Sequence, residues 1–361
     1  MSSPGTPIPK PERILILRFG ALGDIVHALP AAAHLRHTVP GARIVWAVEP
    51  RWLPVLEGHP ALDAIVPLPL KAWRKRPLSA STRGPLRQAL AALRTENFDL
   101  AIDFQGLLKS GLTAWRSGAA ERVGFARQDL REPLASWCYT RSVAVNRRHV
   151  VDKNLALARG AVGGEAQAPE FWLPAGSVSP RLPEGDFLLA SPFAGWRSKE
   201  WPPERYVELA TRAWSERRLP LALDCAPAEA EMVEALAARA PRGAVIAHPS
   251  SLAELLGATR RARAVVGVDS GPLHLAAAVG APGVALFGPT DPARNGPYGS
   301  SFRVLRSAVA TTSYKRGRDY SAGMRALSVD HVWEALSERL DASRPQFRVV
   351  HAAPHPTGVP S

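Results

Sequence analysis

Residues 13–35 read RILILRFGALGDIVHALPAAAHL, and the order of residue types along them decides the fold. Ile14-Leu15-Ile16-Leu17 is a short apolar run with the length and composition of a buried strand. The turn Phe19-Gly20-Ala21-Leu22-Gly23-Asp24 follows, and then apolar residues at helical spacing: Ile25, Leu29, Ala32 and Leu35. Strand, glycine-containing turn and helix make the opening unit of a doubly wound α/β domain, whose functional groups gather at the carboxyl ends of its strands. Asp24 stands at such an end. The glycines are too widely spaced for the dinucleotide fingerprint, and on the turn alone Asp24 reads as a helix N-cap.

The alternation continues outward from this unit. Strands are predicted at Arg43 to Val48, Ala64 to Val66 and Phe98 to Ile102, helices over Leu86 to Leu93 and from near Leu107, and a basic loop at Lys71 to Arg76 (KAWRKR). A second alternation runs from Phe187 to a closing helix at Asp330 to Leu340. It includes predicted strands at Ala264 to Val268 and Val284 to Phe287, with a helix from Pro272 between them. Alternating strands and helices predict parallel sheets. The expected architecture is α/β, two Rossmann-like domains facing across a cleft. Residues 13–165 form the first, 166–185 a Gly/Pro/Ala/Ser-rich linker, and 186–341 the second; 1–12 read as a disordered leader and 342–361 as a disordered tail. A cleft between two such halves suits one ligand on each side.

Length and composition agree with this. The chain has 361 residues, of which 46% are hydrophobic and 21% charged, ample for two cores. Its net charge of +13 argues for a polyanionic partner. Neither a zinc finger, an RNA-binding sheet motif nor a basic helix accompanies the charge, so nucleic acid is not the expected partner; an anionic membrane surface or a phosphorylated substrate is. An Arg-rich surface that merely faces solvent remains the plain alternative. Cys138 and Cys225 are far apart and without metal spacing, which fits a reducing cytoplasm. The first residues lack the order of a signal peptide, and no apolar run reaches the length of a membrane span.

Two later stretches carry chemistry. Val266 to His274, VGVDSGPLH, ends a predicted strand and begins a helix, with Phe287-Gly288-Pro289-Thr290-Asp291-Pro292 ending the next strand. Backbone N–H groups at Asp269-Ser270-Gly271, with the helix dipole, make an anion site. Gly271 permits close approach, Ser270 adds a hydroxyl, and His274 can face the same anion. A lone D-S-G would be only a capped helix; two such turns on adjacent strands favour the anion site. Pro192 to Trp201, PFAGWRSKEW, offers Ala194 and Gly195 for backbone contact and then Lys199, which could neutralise charge growing on a leaving diphosphate.

In order along the chain, RFGALGD, DFQGLLKS, PFAGWRSKEW, VDSGPLHLAAA and FGPTDP resemble the ADP-heptose:lipopolysaccharide heptosyltransferases, glycosyltransferase family 9, which have the GT-B fold. In the first half, IVPLPLKAWRK, ENFDLAIDFQGLLKS and REPLAS are most similar to heptosyltransferase I. The resemblance runs from Arg13 to about Leu340. It implies an inverting transfer of heptose from ADP-heptose to Kdo (3-deoxy-octulosonate) on lipid A, without metal or cofactor, on the cytoplasmic face of the inner membrane. It further implies Asp24 as the general base and Lys199 as the donor-phosphate lysine. Ala194, Gly195, Glu229, Asp269, Ser270, Gly271 and His274 fall on the donor site, and Lys71, Arg74, Lys75, Gln105 and Arg131 on the acceptor site. Ala72 departs from a basic residue in heptosyltransferase I, and TTSYKRGRDYSAGMRALS lacks cysteines that other branches carry there. A family 9 transferase for another position, or a UDP-sugar 2-epimerase-like enzyme, is the alternative.

Overall fold

The structure is a computed structural model that describes residues 10–75 and 79–342. Residues 1–9 of the expected leader, Arg76 of the basic loop and residues 343–361 of the expected tail lie outside the described residues.

The first half carries β1 (Arg13–Leu17), β2 (Arg43–Val48), β3 (Ala64–Pro67), β4 (Leu100–Asp103), β5 (Glu121–Phe125) and β6 (Arg141–Val143), a parallel sheet in the order β3-β2-β1-β4-β5-β6. The second carries β7 (Leu188–Ser191), β8 (Leu221–Cys225), β9 (Val245–Pro249), β10 (Ala264–Val268), β11 (Gly283–Phe287) and β12 (Phe302–Arg306), in the order β12-β11-β10-β7-β8-β9. In each sheet the order of strand addition reverses beside its first strand, between β1 and β4 and between β7 and β10. Ligands of doubly wound sheets bind at the carboxyl side of such switch points. Asp24 follows β1, and Asp269 follows β10. Central strands are buried along their length, as β10 is at every residue, which is why they read as unbroken apolar runs.

Several elements differ from the sequence-based expectation. The helix expected from Ile25 to Leu35 is two helices, Leu22–Val26 and Leu29–Thr38. Pro30 lacks an N–H and is accommodated only in the first turn of the second, so the helix restarts there. The described part of the basic stretch, Lys71 to Lys75, is not a loop: Leu70–Lys75 is helical, its start fixed by the Lys71 N–H donating to Glu49 Oε1 at 2.7 Å. Strands β5, β6 and β12 and the helix Val150–Val162 had no expectation; β6 and β12 are short edge strands, β12 with exposed arginines and β6 with a half-buried one.

The halves dock through the starts of two helices, Leu22–Val26 and Gly271–Ala278. Both approaches depend on glycine. A Cβ on Gly23 would lie 2.4 Å from His274 Cδ2, and one on Gly271 would lie 2.7 Å from Leu22 Cβ. The apolar cluster containing Ile14, Leu29 and Trp46 continues without a break to Leu256, Leu273 and Phe287.

Candidate active site

Asp24 is not the N-cap of its helix; Ala21 is, and Asp24 sits one turn in, accepting the Ala21 N–H on Oδ2 at 3.0 Å. Its Oδ1 lies 2.7 Å from Arg18 Nη2. The carboxylate side chain is 43% exposed while that of Arg18 is 9% exposed, so a buried cation steadies a carboxylate that stays open to solvent. Arg18 also donates to the Phe104 carbonyl, and Trp46 Nε1 donates to the Arg18 carbonyl at 3.0 Å. Gly20, at φ 144, turns the chain back under the Trp52 indole, in a conformation L side chains rarely adopt.

Across the seam, Asp269 is buried at the end of β10 with Lys199 Nζ 2.7 Å from Oδ2. Asn295 Nδ2 donates to Oδ1 at 2.9 Å, and His274 Nε2 lies 3.3 Å from the same oxygen. Burial by itself would raise this carboxyl; the His274 hydrogen bond and the Lys199 charge together outweigh it and hold Asp269 well below the usual carboxylate range. The Lys199 ammonium also lies 4.4 Å from the centroid of the Trp196 ring. Ser270 Oγ, His274 Nδ1 and Thr290 Oγ1 are buried without a hydrogen-bond partner among the described residues. Buried polar groups are rarely left so; Ser270 and His274 stand at the start of the helix Gly271–Ala278, and with Lys199 on the adjoining Asp269 they can seat an anionic, oxygen-rich ligand.

The remaining expected residues divide. The Ala194 N–H donates to Glu200 Oε1 at 3.1 Å, so it is engaged inside its own loop, whereas the space around Gly195 is open. Glu229 Oε2 accepts the Ala226 N–H at 3.1 Å in the turn after β8. Gln105 Oε1 accepts the Phe19 N–H at 3.0 Å, which ties the DFQG turn to the Asp24 turn. Lys71, Lys75 and Arg131 are exposed at the carboxyl side of the first sheet, on the segments after β3 and β5; the Arg74 side chain lies outside the described residues.

Sequence reasoning passed over Arg18, Asn295, Asp103 and His27. Asp103 is fully buried and accepts from Gln105 N, Gly106 N, Ser110 Oγ and Tyr139 OH, setting the turn that presents Gln105. Its burial raises its carboxyl despite these bonds. His27 packs at a tilt of 57° against His274, ring centroids 4.3 Å apart, and burial first, then the neighbouring His274 and His149, push its pKa down. The only local sign of any of them was a lone arginine between a buried strand and a glycine turn.

The family model for glycosyltransferase family 9 (heptosyltransferase) matches residues 86–322. Lipopolysaccharide heptosyltransferase 1 of Pseudomonas aeruginosa is 34% identical over 298 residues, covering 80% of this chain and 82% of that protein. Lipopolysaccharide heptosyltransferase 1 of Escherichia coli K12 is 31% identical over 303 residues, covering 82% and 93%. The solved structure of E. coli heptosyltransferase WaaC with ADP superposes with a TM-score of 0.77 at 27% identity, over 91% of this chain and 99% of that one. With two docked Rossmann-like halves of the GT-B kind, the chain belongs to glycosyltransferase family 9, the heptosyltransferases.

Proposed function

We propose that this enzyme moves heptose from ADP-heptose to a Kdo residue of the lipopolysaccharide inner core, with inversion, working from the cytoplasmic face of the inner membrane. The observation that carries the reading is the direct packing of the Asp24 helix on the helix that opens at Ser270-Gly271. A solvent-open carboxylate and an anion seat thereby border one another. Asp24 takes the acceptor hydroxyl proton as that oxygen bonds to the anomeric carbon, and the bond from that carbon to the diphosphate oxygen breaks on the opposite face. ADP leaves with the electron pair. Lys199, the Ser270 hydroxyl and the helix N-terminus meet its growing charge, so the reading includes neither metal nor cofactor. Gly195, His274 and Glu229 border the donor. Lys71, Arg74, Lys75, Gln105 and Arg131 serve the acceptor, whose carboxylate and phosphates call for cations.

The test is mass spectrometry of Kdo-lipid A incubated with enzyme and ADP-heptose. One added heptose with stoichiometric ADP is expected. If Kdo-lipid A stays unmodified while an already heptosylated core is extended, the enzyme acts at a later position of the core.

A further inference from the structure

One side of the first half leaves large apolar side chains uncovered. Leu108, Leu112 and Trp115 are exposed at i, i+4 and i+7 of the helix Leu108–Arg116, a single stripe along its outer face. Leu134 and Trp137 are exposed on the 3-10 helix Pro133–Cys138, and Trp115 and Trp137 are 56% and 75% accessible. The two segments lie side by side. Glu132 Oε2 accepts the Leu108 N–H at 2.8 Å, and a Cβ on Gly111 would lie 3.1 Å from both the Ala135 carbonyl and Cys138 Cβ. The exposed groups therefore form one apolar strip.

Its borders are cationic. Arg116 lies 5.7 Å from the Trp115 ring centroid, and Arg127 and Arg131 are exposed on the neighbouring turn. The acids in that turn are engaged by backbone: Glu132 by Leu108 N, and Asp129 by Val145 N at 3.2 Å. The helix springs from the DFQG turn, whose Gln105 holds Phe19 just ahead of Asp24. The strip thus starts at the mouth of the acceptor side and runs outward.

Indole rings favour the membrane–water boundary, and arginines beside them favour anionic headgroups. An acceptor sugar attached to lipid must reach Asp24 while its acyl chains stay in the bilayer, so the rim by the acceptor mouth must lie on the lipid. We infer that the strip formed by Leu108, Leu112, Trp115, Leu134 and Trp137 docks the enzyme onto an anionic bilayer, with Arg116, Arg127 and Arg131 meeting headgroups. Its orientation rests on the lipid-linked acceptor proposed above.

Co-sedimentation with vesicles tests this without donor or acceptor. Wild-type protein is expected to partition onto phosphatidylglycerol/phosphatidylcholine vesicles. The Trp115→Ser/Trp137→Ser variant should bind them about tenfold or more weakly, because two large apolar groups no longer leave water. Its ADP affinity and melting temperature should stay at the wild-type level. Arg116→Gln/Arg127→Gln should lose the preference for anionic over pure phosphatidylcholine vesicles. Unchanged partition of the tryptophan variant overturns the inference. So does a wild-type dimer that the tryptophan variant turns into a monomer, since a second copy would then cover the strip. Vesicle binding that depends on the strip, in a protein that transfers no heptose, would overturn the proposed reaction and leave the docking surface standing.

Discussion

Asp24 is held from two directions, by Arg18 at 2.7 Å and by the Ala21 N–H at 3.0 Å. Asp24→Asn keeps an oxygen for Ala21 but gives up the proton-accepting carboxylate. Its kcat should fall by about 10²–10⁴-fold, with calorimetric ADP affinity unchanged; near-normal turnover would reduce Asp24 to a cap. Arg18→Met should also lower kcat while the acceptor KM holds, because Asp24 loses both the contact that aims it and the neighbouring charge. Asp24 was legible in the sequence because its turn is local. Arg18 was not, since its role depends on the Phe104 carbonyl, 86 positions away. His59 supplies a pH response. It is buried, its Nδ1 accepts the Ala61 N–H at 3.2 Å, and burial pushes its pKa from 6.5 to about 4. Between those values the unfolded chain binds the proton and the folded chain does not. Stability is therefore full above pH 6.5 and falls as the pH drops toward 4, on the order of 3 kcal/mol from this group. His27, His34 and His149 are lowered as well and act in the same direction. Urea midpoints at neutral pH and near pH 4.5 should differ accordingly, and less so in His59→Gln.

Central strands were plain in the sequence because parallel strands buried on both faces leave unbroken apolar runs. The edge strands β6 and β12 mix charge with apolar residues, and pairing with their neighbours, rather than their own pattern, makes them strands. The helix Leu70–Lys75 is not legible in the sequence because a run of cations has no apolar period; Glu49, from another segment, accepts the Lys71 N–H at its start. Exposed charges of this kind contribute little to folding. Lys71→Gln/Arg74→Gln/Lys75→Gln should therefore leave the melting temperature nearly unchanged while raising the acceptor KM and flattening its dependence on salt. An acceptor KM equal to wild type at every salt concentration would free this helix of a binding role. The paired glycines make an opposite prediction. Gly271→Ala drives a methyl into Leu22 in a filled core, and overpacking of that sort costs about 1–3 kcal/mol. Thermal denaturation should register the loss, and a melting temperature equal to wild type would mean that Leu22 yields.

The two halves were visible as two alternations with a Gly/Pro-rich stretch between them, and the repeated strand order bears the duplication of architecture out. Their mode of docking was not visible, because periodicity shows which face of an element is apolar and not what that face meets. One apolar cluster spans both halves, so relative movement is restrained more than in domains joined by polar contacts. Calorimetry should record a single transition whose van't Hoff and calorimetric enthalpies agree; two resolved peaks would mean that the halves melt apart.

The seam at Gly23 and Gly271 also limits how such enzymes can be recombined. Gly23 leaves room for His274, and Gly271 for Leu22, like a key cut on both edges. A chimera that takes its acceptor half from one family member and its donor half from another has to match at these positions before either sugar preference can be expressed. Grafting a new donor specificity onto this scaffold is therefore constrained first by the fit of two helix starts, and only then by the pockets that read the substrates.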